Sequence, residues 1–324
     1  MTLFAISKKL VILIIMAGMI SWPLRSAVSP TAAASSEKEQ VLIAEFSDPS
    51  GDDHGPGFYE YPNHSVFSPQ EELLDLLSFY LERIADGEYY RFIFEFARIT
   101  DPWDSKYGFS HPLIHLYIDS EEGGSDELFR SGANVSLQEE HPWNKHLRIS
   151  GWWVRLITPA DDPWDMTRDL NIDAESSPWD VEEAQVETTN NRIKVDIPGD
   201  KIGELAGSWI YLLVGGFDPF GEDYFRGLQN RPTNWSFQST EEVDLDIAPR
   251  VIDYLATEEG KQEKMLADFS TSYPEIKPVK IPALEEPFSP NRYLLSFFYL
   301  LLGGVIMAGL FWLVSQKNQK NKEQ

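Results

Sequence analysis

The chain of 324 residues contains no cysteine. That excludes a disulfide framework, thiol catalysis and thiolate metal sites. Basic residues are scarce as well, 27 Lys and Arg against 52 Asp and Glu, for a net charge of −25. A surface that binds phosphate backbones needs a basic face, so nucleic acid is excluded as a partner. No G-x-G-x-x-G, P-loop, G-x-S-x-G or H-E-x-x-H pattern occurs, which removes the common nucleotide-binding, serine-hydrolase and zinc-protease signatures. Long hydrophobic runs are few, and two frame the chain.

The first run, Leu10 to Ser21, follows Lys8 and Lys9 and leads to Ala32-Ala33-Ala34. A basic start, a short apolar stretch and an A-x-A site predict a secretory signal peptide over 1–34. The second, "YLLSFFYLLLGGVIMAGLFWLV" over 293–314, carries no charge. As a helix it spans ~33 Å, enough to cross a bilayer. Lys317, Lys320 and Lys322 follow it, so the tail over 315–324 is expected in the cytoplasm. What lies between the runs is then extracellular, displayed from a single-pass protein of the cell membrane.

That exterior part holds nearly all the acids, which keep a secreted protein soluble and repel anionic polymers. It reads as one domain over 41–266 and a proline-rich, semi-rigid stalk over 267–292. Strands are expected at "QVLIAEFSD", from Leu76 to Ile84, and from Tyr90 to Ile99, the latter two joined as a hairpin at Asp86-Gly87. Further strands are expected at Leu113–Ile118, Leu147–Leu156, Ala184–Thr188, Arg192–Ile197 and Ser208–Gly215, with a turn at Asn190-Asn191. Asp200–Leu205, Pro249–Leu255 and Lys261–Leu266 read as short helical turns. Many strands joined by Gly/Pro-rich loops predict an all-β fold, a β-sandwich.

Three features suggest chemistry. "DPSGDDHGPGFYEYP", Asp48 to Pro62, gathers carboxylates on a sharply turning loop, and Asp48, Asp52 and Asp53 are the candidate ligands for calcium, a cation that seeks oxygen donors. The alternative is that these acids cap turns. "HPLIH" sets His111 and His115 on one face of a strand, as a metal pair or as two ordinary buried histidines. Tryptophan beside acid or amide recurs: "DPWD" at Asp101 and again at Asp162, "PWD" at Pro178, "HPWN" at His141. Indole faces stack on sugar rings while neighbouring polar groups bond the hydroxyls. The same indoles equally fill a sandwich edge. Trp103, Trp143, Trp164, Trp179 and Trp235 are the candidate ligand platforms. No carboxylate pair stands out as a glycosidase dyad.

"FSDPSGDDHGPGFYEYP", "DPWDSKYGFSHPLIHLYID", "GANV", "PWNKHLRISGW", "WIYLLVGGFDPFGEDYFRGL", "NWSF" and "PRVIDYLATEEGKQEKML" occur in that order. The set resembles the glucodextranase C-terminal family, a DOMON-like domain, over about 41–266. The resemblance implies a carbohydrate-binding-module-like β-sandwich that binds or displays rather than catalyses. "NRPTNWSFQSTEE" departs from the family's glycine-rich segment near the end, which puts any contact carried by that loop in question. The expectation is a membrane-anchored, non-enzymatic surface module that binds a polysaccharide or cell-wall polymer, with structural calcium. The alternatives are a spacer or protein-interaction module without a sugar ligand, a haem-binding sandwich, and a hydrolase.

Overall fold

The computed structural model describes residues 39–163 and 177–284. The expected signal peptide over 1–34, the part of the expected stalk beyond Leu284, the expected transmembrane helix over 293–314 and the tail lie outside the described residues.

In chain order the strands are β1 (Gln40–Ser47), β2 (Tyr59–Glu60), β3 (Leu76–Ile84), β4 (Tyr89–Phe96), β5 (Pro112–Asp119), β6 (Ser136–Leu137), β7 (Lys145–Ile149) and β8 (Val154–Ile157). Then come β9 (Gln185–Thr189), β10 (Arg192–Pro198), β11 (Trp209–Gly216), β12 (Leu228–Gln229), β13 (Phe237–Ser239), β14 (Asp253–Tyr254), β15 (Glu275–Ile276) and β16 (Val279–Lys280). Among the described residues helix is confined to Gly199–Ile202, Lys261–Leu266 and a few single turns, and strands are the main regular structure.

Five strands form an antiparallel sheet in the order β1-β3-β4-β10-β9. Their side chains alternate. Tyr90, Phe92, Phe94 and Phe96 of β4 and Ile193, Val195 and Ile197 of β10 point inward and are buried, while Arg91 and Asp196 pair on the other face at 2.7 Å. The second sheet runs β14-β11-β5-β7-β8, with β16 also on β11. Its central strands, "PLIHLYID" and "WIYLLVGG", show no alternation because both faces are covered. Ile114, Leu116, Ile118, Ile210, Leu212 and Val214 pack against the five-stranded sheet. Leu113, Tyr117, Tyr211 and Leu213 face a second core, closed by loop residues such as Phe129, Trp143, Trp179 and Tyr224.

Two elements differ from the sequence reading. The strand expected over Leu147–Leu156 is split into β7 and β8 by a tight turn, in which Ser150 Oγ accepts from the Trp152 and Trp153 amides at 3.2 and 3.3 Å. The helical turn expected over Pro249–Leu255 is extended chain, because β14 pairs with β11. The folded unit also continues past Leu266. β15 pairs with β6 and β16 pairs with β11, and Ile276 and Ile281 are buried, so prolines 274, 278 and 282 punctuate short edge strands.

Candidate functional site

One end of the six-stranded sheet is where β11 finishes, β5 begins and β7 turns into β8. Loops there surround a cavity of about 500 Å³. Trp103, Trp152 and Trp235 line it, together with Phe217, Phe220, Asp218 and Arg226. Each indole is held by a ring behind it. Trp235, 49 % exposed, stacks on His64 at 4.3 Å between centroids. Trp152 stacks on the buried Phe217 at 4.8 Å. Trp103 meets Phe67 edge-on at 6.0 Å and His111 at 4.9 Å.

Local chemistry fixes the loops. The Asp101 carboxylate accepts from the Ser105 amide at 3.0 Å and from the Ser110 hydroxyl, and Ser105 Oγ accepts from the Phe109 amide at 3.0 Å. In this copy of "DPWD" the first acid therefore builds the turn that presents Trp103. Arg226 ties the walls together. It donates to the Trp235 carbonyl at 2.7 Å and to the Phe217 carbonyl, and it lies 3.5 Å from the Asp218 carboxylate. Its guanidinium sits over Phe67 at 4.9 Å. Burial pulls the Arg226 pKa down and pulls that of His111 from 6.5 to about 4, with Arg226 reinforcing the latter. Phe220, 92 % exposed, stands at the tip of a turn closed by the Gly221 amide on the Asp218 carbonyl at 3.0 Å. The arrangement offers flat aromatic faces, a carboxylate and a cation at one rim.

Of the tryptophans singled out in the sequence, the cavity gathers Trp103 and Trp235. Trp143 and Trp179 are buried in the second core, and neither face is open to a ligand. Trp143 donates to the Glu127 carbonyl at 2.7 Å, and Trp179 meets Phe129 edge-on. Trp164 lies outside the described residues. Sequence reasoning missed Trp152, hidden inside a run read as one strand, and the "DPF" of Asp218 to Phe220, which echoes the "DPW" repeats.

The opening loop lies elsewhere. Asp48 Oδ1 accepts from the Ala256 amide at 2.8 Å and the Thr257 amide at 3.3 Å. Asp253 Oδ2 accepts from the Leu76 amide at 2.5 Å and its Oδ1 from the Tyr254 amide at 2.6 Å. Asp75 accepts from the Gly51 amide at 3.0 Å. Asp48, Asp52 and Asp253 each bring one oxygen within 4.8 Å of the others. Asp53 is not one of the three and accepts from the Tyr61 hydroxyl, so Asp253 stands with Asp48 and Asp52 where the sequence suggested Asp53. Burial, then mutual repulsion, raises these acids: Asp48 to about 8, Asp52 to about 7, Asp75 to about 6, and Asp253 well above its usual value.

His111 and His115 do not form a pair. His111 Nε2 bonds the Val66 carbonyl at 3.1 Å, whereas His115 meets His146 across β5 and β7 at 3.2 Å.

A family model described as the C-terminal, SLH-like binding module of glucodextranase matches residues 43–279. It describes a binding module and not a catalytic domain. No curated protein matches the chain.

Proposed function

Because the chain belongs to the family of glucodextranase C-terminal binding modules, we propose that it is a non-catalytic surface module that binds carbohydrate or cell-wall polymer in the cavity between Trp103, Trp152 and Trp235. The observation that carries this reading is the convergence of three ring-supported indoles on one cavity with a carboxylate beside them. Indole faces take the CH faces of sugar rings, and the Asp218 carboxylate accepts from hydroxyls. Rings held from behind lose little freedom on binding, which favours affinity. The acidic chain selects neutral polymers over anionic ones.

The domain is displayed outside the cell from a membrane helix over 293–314. A single cleft of this size gives modest affinity, and many copies anchored on one surface supply avidity. One observation favours a second reading. The protruding Phe220 also suits a protein partner that inserts an apolar side chain next to it.

The test is an array of plant, fungal and bacterial polysaccharides probed with the full chain in detergent micelles. Binding to at least one neutral polysaccharide, lost in Trp103→Ala with Trp235→Ala, is expected. A flat response across the array overturns the carbohydrate reading and leaves the protein-partner one.

A further inference from the structure

Three carboxylates from two distant parts of the chain meet. Asp48 directly follows β1, Asp52 lies on the opening loop and Asp253 lies on β14. Asp48 is only 9 % exposed. Its Oδ1 is committed to two backbone amides, and its Oδ2 is buried with no hydrogen-bond partner among the described residues. Asp52 Oδ1 and the neighbouring Asp75 Oδ1 are buried and unpartnered in the same way. The charges named as acting on these groups are all acidic: Asp52 on Asp48, Asp75, Asp53 and Glu263 on Asp52, and Asp48, Asp52 and Asp53 on Asp253. A buried anion without a partner is costly, and several together are costlier.

We propose that Asp48, Asp52 and Asp253 bind one calcium ion, with Asp75 beside them, and that the ion clamps the edge of one sheet to the edge of the other. β1 is an edge strand of the five-stranded sheet and β14 an edge strand of the six-stranded sheet. Calcium holds oxygen ligands at about 2.4 Å, so ligands on opposite sides of it are about 4.8 Å apart. The three oxygens lie within that span. The donor set is all oxygen, as a hard cation requires. The clamp lies apart from the aromatic cavity, and the proposal does not depend on what that cavity binds.

The alternative is that these carboxyl groups share protons and take no metal. Asp48→Asn separates the two. The amide oxygen can keep the Ala256 and Thr257 bonds, while the NH2 replaces the unpartnered Oδ2 and can donate to Asp253. The experiment is calorimetric titration of the chelator-treated full chain in detergent with calcium chloride at neutral pH, paired with thermal melting. About one ion per chain is expected. At a hundredfold excess over Kd the melting temperature should rise by about 5–10 °C. Asp48→Asn should lose both responses while melting, in chelator, no lower than the parent. Asp52→Asn, on the more open side, should weaken binding at least tenfold. No calcium binding by the parent chain overturns the proposal, whatever the variants do. Unchanged binding in both variants overturns it too.

Discussion

Trp143 donates its Nε1–H to the Glu127 carbonyl and packs edge-on against Tyr117, inside the second core. Trp235 rests on His64 with half its surface in solvent. Truncating each to alanine therefore has opposite signatures. Trp143→Ala should cost about 3–5 kcal/mol in denaturant unfolding, as cavity formation in a core does. Trp235→Ala should change stability far less but weaken glycan binding by about tenfold or more. His111 gives a pH signature. Its folded pKa of about 4 lies below the ordinary 6.5, because burial and Arg226 disfavour the cation. As pH falls below 6.5 the unfolded chain takes up a proton that folded His111 refuses, so stability drops down to about pH 4. His111→Gln removes this group. Unfolding followed from pH 7 to 4 should show the parent losing about 3 kcal/mol relative to the variant.

The loop over 101–110 and the β7–β8 turn are locked together at Gly151. A Cβ there would meet the Phe109 carbonyl oxygen at 1.8 Å and the Ser105 side chain at 2.9 Å. Gly151→Ala should destabilise the fold by about 1–3 kcal/mol and, by shifting the loop that presents Trp103, weaken glycan binding without lining the cavity itself. Melting and affinity measured on the same preparation check both effects. Elements were legible in the sequence where pattern and burial agree. β3 matches its expected bounds, since Leu76–Ile84 must oppose the alternating strand that follows. Asn190, at φ 55°, makes the turn between β9 and β10 that "NN" announced. Pro249–Leu255 misled because a short apolar run has no decisive period, and only its pairing with β11 makes it extended. Trp103 and Trp235 could be picked out by residue type. Their separation from Trp143 and Trp179 could not, since it depends on which loop covers which face. Asp253 joins Asp48 only through the meeting of two edge strands, which no local pattern records.

At the scale of the whole molecule, an acidic chain carries a cavity lined chiefly by aromatic rings, with Asp218 and Arg226 as its charged groups. If binding is by stacking, affinity for a neutral glycan should change little between low and high salt, because screening acts on charges. The anchoring reading has its own check. The chain should sediment with membranes and resist alkaline washing, and deletion of 293–314 should release it. The most direct test of the account is calorimetric titration of the parent chain and of Trp103→Ala/Trp235→Ala with polysaccharides that the array identifies. Saturable binding by the parent, weakened about a hundredfold in the double variant, is predicted. The absence of binding to every polysaccharide offered, or equal affinity in the two proteins, would contradict it.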